Sequence, residues 1–169
     1  NRAAYRAQHG IKTERRLLDG CDMVLEGELV VEHEEVVTSS NSFSFEDYKL
    51  IRKVNVVLHA IFIEGMHREF FKSLVAEGKS LAGFIQEFLR PVPGYDEESQ
   101  QHYDFLMSLD EAIASELYTD EQIESMIAQV QAGHGELPKE IKLQRIFAGR
   151  LLEAKDDWVL TVLGRTRDE

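Results

Sequence analysis

Four residues in the middle of the chain carry polar or titratable groups at helical spacing. Tyr48, Arg52, Asn55 and His59 step by four, three and four positions, which lays them along one stripe of a helix. Their neighbours Leu50, Ile51, Val54, Val56, Val57, Leu58, Ile61, Phe62 and Ile63 are apolar, so the helix is apolar almost all round and belongs at the centre of a fold. The core is then expected to take Leu50, Ile51, Val54, Leu58 and Ile61. Buried polar groups cost free energy unless they are paired. The stripe is therefore either an internally satisfied network or the lining of a cleft or interface.

Other clusters carry less. Glu32-His33-Glu34-Glu35 is rich in ligand types, but on a strand alternate residues share a face. Only two donors then point each way, and a metal site wants three or more. A charged, exposed strand explains the run better. Cys21 lies between Gly20 and Asp22, where carboxylates raise a thiol's pKa and weaken it as a nucleophile. His67 and His102 have no evident partners in sequence, and His134 sits between two glycines as a turn residue. No nucleophile elbow, P-loop or dinucleotide fingerprint is present. No catalytic, cofactor-binding or metal residue is assigned.

The elements that must position the stripe follow from period and punctuation. Residues 2–8 read as a helix end stopped by Gly10. Lys12 to Leu18, Asp22 to Glu26 and Glu28 to Val37 read as two or three strands of a small antiparallel meander, punctuated by Asp19-Gly20 and Gly27. Ser44 with Asp47 resembles a capping box, opening the helix from about Phe45 to Glu64. Further helices are expected over Met66 to Glu77, from Ser80 to Pro91, over Asp96 to Tyr118, after the Thr119/Gln122 capping box, and from Pro138 to about Ala154. Trp158 to Leu163 stays open between strand and helix. The fold class is α+β, mostly α-helical, with the meander followed by a helical bundle. Pro91-Val92-Pro93-Gly94 is the expected boundary. It divides a region 1–90 from an acidic helical region 91–169, the two packed as one unit.

Charge and composition narrow the partners. The chain has 169 residues and a formal net charge of −12, against nucleic acid or an anionic membrane surface, which attract clustered positive charge. Between Arg90 and Lys139 there are eleven acids and no Lys or Arg, whereas the first twenty residues hold five bases and two acids. The acidic run is a solvated face or a docking surface for a basic partner. One cysteine rules out an internal disulfide framework and fits a reducing, cytoplasmic compartment. The longest apolar stretch, Val54 to Ile63, is about half of what a membrane span requires.

Two segments resemble a known family. Tyr5-Arg6-Ala7-Gln8-His9-Gly10-Ile11-Lys12-Thr13 follows a Y-R-x-x-[YH]-G-I-K-T pattern. Val36-Val37-Thr38-Ser39-Ser40-Asn41-Ser42-Phe43-Ser44-Phe45-Glu46-Asp47-Tyr48 follows V-V-x-S-x-N-x-x-S-F-E-D-[YW]. Together they resemble the region after the catalytic barrel in cobalamin-binding radical S-adenosylmethionine proteins, over about residues 1–90. The resemblance implies a non-catalytic C-terminal region of a larger enzyme, bordering the substrate site or mediating domain contacts. Its partners would be the parent's N-terminal catalytic domains. The parent would use an iron–sulfur cluster and S-adenosylmethionine, with cobalamin a further candidate, and this chain would carry none of them. The rival reading is a free-standing acidic helical interaction module. Substrate, reaction and oligomeric state stay open.

Overall fold

The computed structural model of the protein describes residues 2–134, 136 and 142–168. The expected helix start at Pro138 and the side chain of Cys21 lie outside what is described. The fold is α+β and mostly helical, with an antiparallel sheet at the N-terminal end followed by helices. No helix among the described residues is long and apolar enough to cross a membrane. The chain divides into two compact units, residues 1–48 with 113–141 and residues 49–112 with 142–169.

The first unit begins with α1 (Arg2–His9), closed by Gly10 at φ +60°. Ile11 N donates to Arg6 O at 2.9 Å and Gly10 N to Ala7 O at 3.4 Å, the paired bonds of a Schellman stop. Strands β1 (Lys12–Leu25) and β2 (Glu28–Ser39) then form one long antiparallel ribbon. Its reversal is at Glu26-Gly27, where both φ values are positive, at 52° and 89°, as a two-residue hairpin turn demands. Asp19-Gly20 is therefore not a turn dividing two strands. It falls in an irregularity where residues 18–21 of β1 sit opposite Glu32 alone. An interior glycine, with no side chain to pack, suits such a bulge. Tyr118 adds a single bridge to β1, exchanging backbone bonds of 2.7 and 2.8 Å with Arg15. Helix α6 (Asp120–Gln131) packs on both strands. It opens on a reciprocal capping box, with Thr119 N donating to Gln122 Oε1 at 2.7 Å and Gln122 N to Thr119 Oγ1 at 3.2 Å.

Helix α2 (Phe45–Leu58) also opens on a capping box, with Asp in the place usually held by Glu. Ser44 N donates to Asp47 Oδ2 at 2.8 Å and Asp47 N to Ser44 Oγ at 3.1 Å. The boundary between the units falls inside α2 and again inside α5 (Glu97–Ser115).

The second unit holds the rest of α2, a π-helical turn (His59–Ile63), α3 (Arg68–Ala76), α4 (Leu81–Phe88), most of α5, α7 (Leu143–Glu153) and α8 (Trp158–Asp168). Helix α7 packs on the π-helical turn and α4 on α8. Aromatic rings fill much of its interior, with Phe71 edge-on to Phe84 at 5.6 Å and Phe105 edge-on to Phe147 at 5.7 Å between centroids. Trp158 to Leu163 is helical because its buried positions are Trp158, Val159, Val162 and Leu163. That is helical spacing, and it overrides the β-branched content. Pro91–Gly94 is a joint between α4 and α5 within this unit. The contact of α4 with α8 ties the two sides of the joint together.

The central helix is less enclosed than its composition implies. Leu50 is 41% and Ile51 55% exposed, so neither belongs to the core. Val56, Val57, Ala60 and Ile61 are buried. Ile51 lies five positions from Val56, about 140° around the helix, and points away from that face. Lys53 is buried instead, with its Nζ 3.0 Å from Asp110 Oδ1 on α5. Breaking a buried pair leaves one charge uncompensated. Lys53→Met should therefore cost about 3 kcal/mol in urea unfolding, and Lys53→Met with Asp110→Leu should recover most of it. A single variant within about 0.5 kcal/mol of wild type would show the pair to be unimportant.

Candidate functional site

In the first unit, charge organises the polar residues. Glu35 on β2 receives Arg2, Arg6 at 2.5 Å and Thr13 Oγ1 at 2.9 Å, with Arg15 at 3.8 Å. Arg6 and Thr13 donate to its carboxyl, and with the nearby Arg2 they hold it down at about 2. Arg15 Nε also donates to Asp120 Oδ1 at 2.5 Å. Arg16 pairs with Glu34 and stands 3.5 Å from the buried Glu116. The basic N-terminal segment thus engages acids of its own unit, including two from the acidic run.

The polar stripe resolves residue by residue. Tyr48 is buried, and its Oη donates to Glu116 Oε1 at 3.4 Å. Arg52 is half-buried and Asn55 is exposed. His59 is half-buried, its Nε2 3.4 Å from Glu64 Oε1. Tyr48 therefore joins a structural ion network, whereas His59 opens the π-helical turn. The sequence reading missed Lys53 and Asp110, although each stands on the apolar stripe of its own helix with opposite sign.

The two family-like segments meet in space. Asn41 N donates to His9 O at 2.9 Å and Asn41 Nδ2 to Gln8 O at 3.2 Å, capping the carbonyl end of α1. A Cβ at Gly10 would lie 2.1 Å from Asn41 Oδ1, so glycine there permits both the left-handed turn and the close approach.

The second unit contains a pocket of about 520 Å³. Ile61, Phe62, Ile63, Glu64, Gly65, Arg68, Phe71, Lys72, Val75 and Leu81 line it. The π-helical turn builds one wall. Glu64 N donates to His59 O at 3.1 Å, an i to i+5 bond that widens the helix by one residue. Within it, Phe62 is 63% and Ile63 71% exposed. Gly65 has φ +73°, and His67, without glycine's freedom, has φ +46°. The His67 ring holds that conformation by donating from Nε2 to Lys155 O at 2.8 Å, against an ordinary cost of about 1–2 kcal/mol for a left-handed residue. Nothing in the local sequence marks a π turn, so this pocket was not legible there.

No group of three or more His, Cys, Asp or Glu side chains gathers for a metal among the described residues. With one cysteine in the chain, the donors do not fit an iron–sulfur cluster, which is held by several thiolates.

Glu35 sets a pH dependence. Its folded value near 2 lies below the ordinary 4.5, so its contribution is complete above pH 4.5 and is lost as pH falls towards 2. Urea midpoints should therefore rise with pH across that window, and Glu35→Gln should reduce the slope there. Parallel wild-type and variant curves would remove Glu35 from the acid response. Comparison with family models, curated proteins and solved structures finds no match for this chain.

Proposed function

We propose that this chain is the non-catalytic C-terminal region of a larger radical S-adenosylmethionine protein of the cobalamin-binding type, and that it makes domain contacts beside the catalytic barrel. The observation that carries the contact role is the β1–β2 arm. Around its turn, Met23, Leu25 and Val30 are exposed on one face of the ribbon, and Val24 is exposed on the other. An apolar patch at the end of an arm is a contact surface more often than a solvated one. The clasp of Gly10 and Asn41 supports the family reading, because it gives the two motifs one joint structural task. The rival, a free acidic module, is weakened because Arg15 and Arg16 already engage Asp120 and Glu116. The iron–sulfur cluster, S-adenosylmethionine and any cobalamin belong to the parent's other domains under this reading.

The genomic reading frame that contains residue 1 should continue upstream into a barrel with a C-x-x-x-C-x-x-C motif. Coexpressed with that barrel, the chain should copurify. Met23→Asp with Val30→Asp should weaken the association tenfold or more, on the order of a lost apolar anchor, with the chain's own Tm unchanged. A frame without a barrel overturns the family assignment. A barrel that binds wild type and variant equally overturns the role of the arm.

A further inference from the structure

We infer that the pocket beside the π-helical turn binds a small amphiphile with an apolar tail and one anionic head, the chemistry of a long-chain carboxylate. The inference uses neither of the two motif segments, since every residue involved lies in the second unit.

Size comes first. About 520 Å³ falls within the range of small-molecule pockets, roughly 300–1,000 Å³. The walls then select the tail. Phe62, Ile63, Val75 and Leu81 offer no hydrogen bonds, and the first three are left largely exposed to water. An apolar tail would remove that surface from water at no cost in unpaired polar groups.

The rim selects the head. Arg68 and Lys72 stand four residues apart on α3, on one helix face. Lys72 is partly engaged by Glu69 at 2.7 Å. Glu69 takes its hydrogen bond from Lys72, and Arg68 acts on the same carboxyl through charge alone, which leaves the guanidinium's donors for a ligand. The acid on the rim, Glu64, stands 3.4 Å from His59. A carboxylate head meets a guanidinium in a two-pronged geometry that an ammonium head cannot adopt.

The backbone supports the same place. A π-helical turn and a left-handed His67 flank one pocket, and such local strain concentrates at binding sites.

Calorimetric titration of the purified chain tests the inference with three probes of equal tail length, each below its micelle concentration. Dodecanoate should bind saturably at one site, about tenfold or more tighter than dodecan-1-ol or dodecyltrimethylammonium, on the order of one charge-assisted contact. Arg68→Gln should erase most of that preference and leave the alcohol unchanged. Ile63→Ser should weaken dodecanoate and alcohol alike. Both side chains are exposed, and unchanged Tm values would confirm that the variants fold. Absence of saturable binding overturns the site. Equal affinity for the three probes, or an Arg68→Gln variant that binds dodecanoate as wild type does, overturns the anionic head.

Discussion

A chain with twelve more negative than positive charges cannot pack its carboxylates without cations beside them, and few cations are available. Where they are placed decides much of the structure. In the first unit Arg2, Arg6 and Arg15 converge on Glu35, while Arg16 stands between Glu34 and Glu116. In the second unit Lys53 enters the buried face of α2 because Asp110 meets it there. Desolvating either partner alone would cost several kcal/mol, so each charge specifies its neighbour. Exposed acids elsewhere need no such partner, because water screens them.

Apolar surface follows a second logic. The second unit buries Val56, Val57, Ala60 and Ile61 on one side of α2. The π-helical turn that follows then directs Phe62 and Ile63 to the pocket wall. Without the extra residue, an α-helix would continue its 3.6-residue repeat through these positions. The reversal at Gly65 and the left-handed His67 bring α3, with Arg68 and Lys72, to the same opening. A local irregularity of backbone thus helps to combine apolar walls and basic side chains in a single concavity.

The first unit uses irregularity differently. The bulge over residues 18–21 lets β1 continue past Asp19-Gly20, and the two-residue turn at Glu26-Gly27 places apolar side chains at the end of an arm. At the other end of the ribbon, the Gly10–Asn41 clasp fixes α1 against the strand exit through backbone bonds. The family-like motifs therefore encode a joint, with no reactive group among its contacts.

The sequence alone determined what rests on local chemistry. Capping boxes at Ser44/Asp47 and Thr119/Gln122, the stop at Gly10 and the apolar repeats of α3 to α6 were all legible, because each depends on residues a few positions apart. It also held the charge pattern. Tertiary structure decided the rest. Which face of α2 is buried was not legible, since Leu50 and Ile51 are as apolar as Val56 and Val57 and differ only in direction. Asp19-Gly20 has turn composition, yet strand pairing absorbed it as a bulge. Lys53 with Asp110, and the three arginines around Glu35, are pairs distant in sequence, and Coulomb attraction acts through space. The π-helical turn, and with it the pocket, depends on how α7 packs against residues 59–63, a contact that no local pattern records.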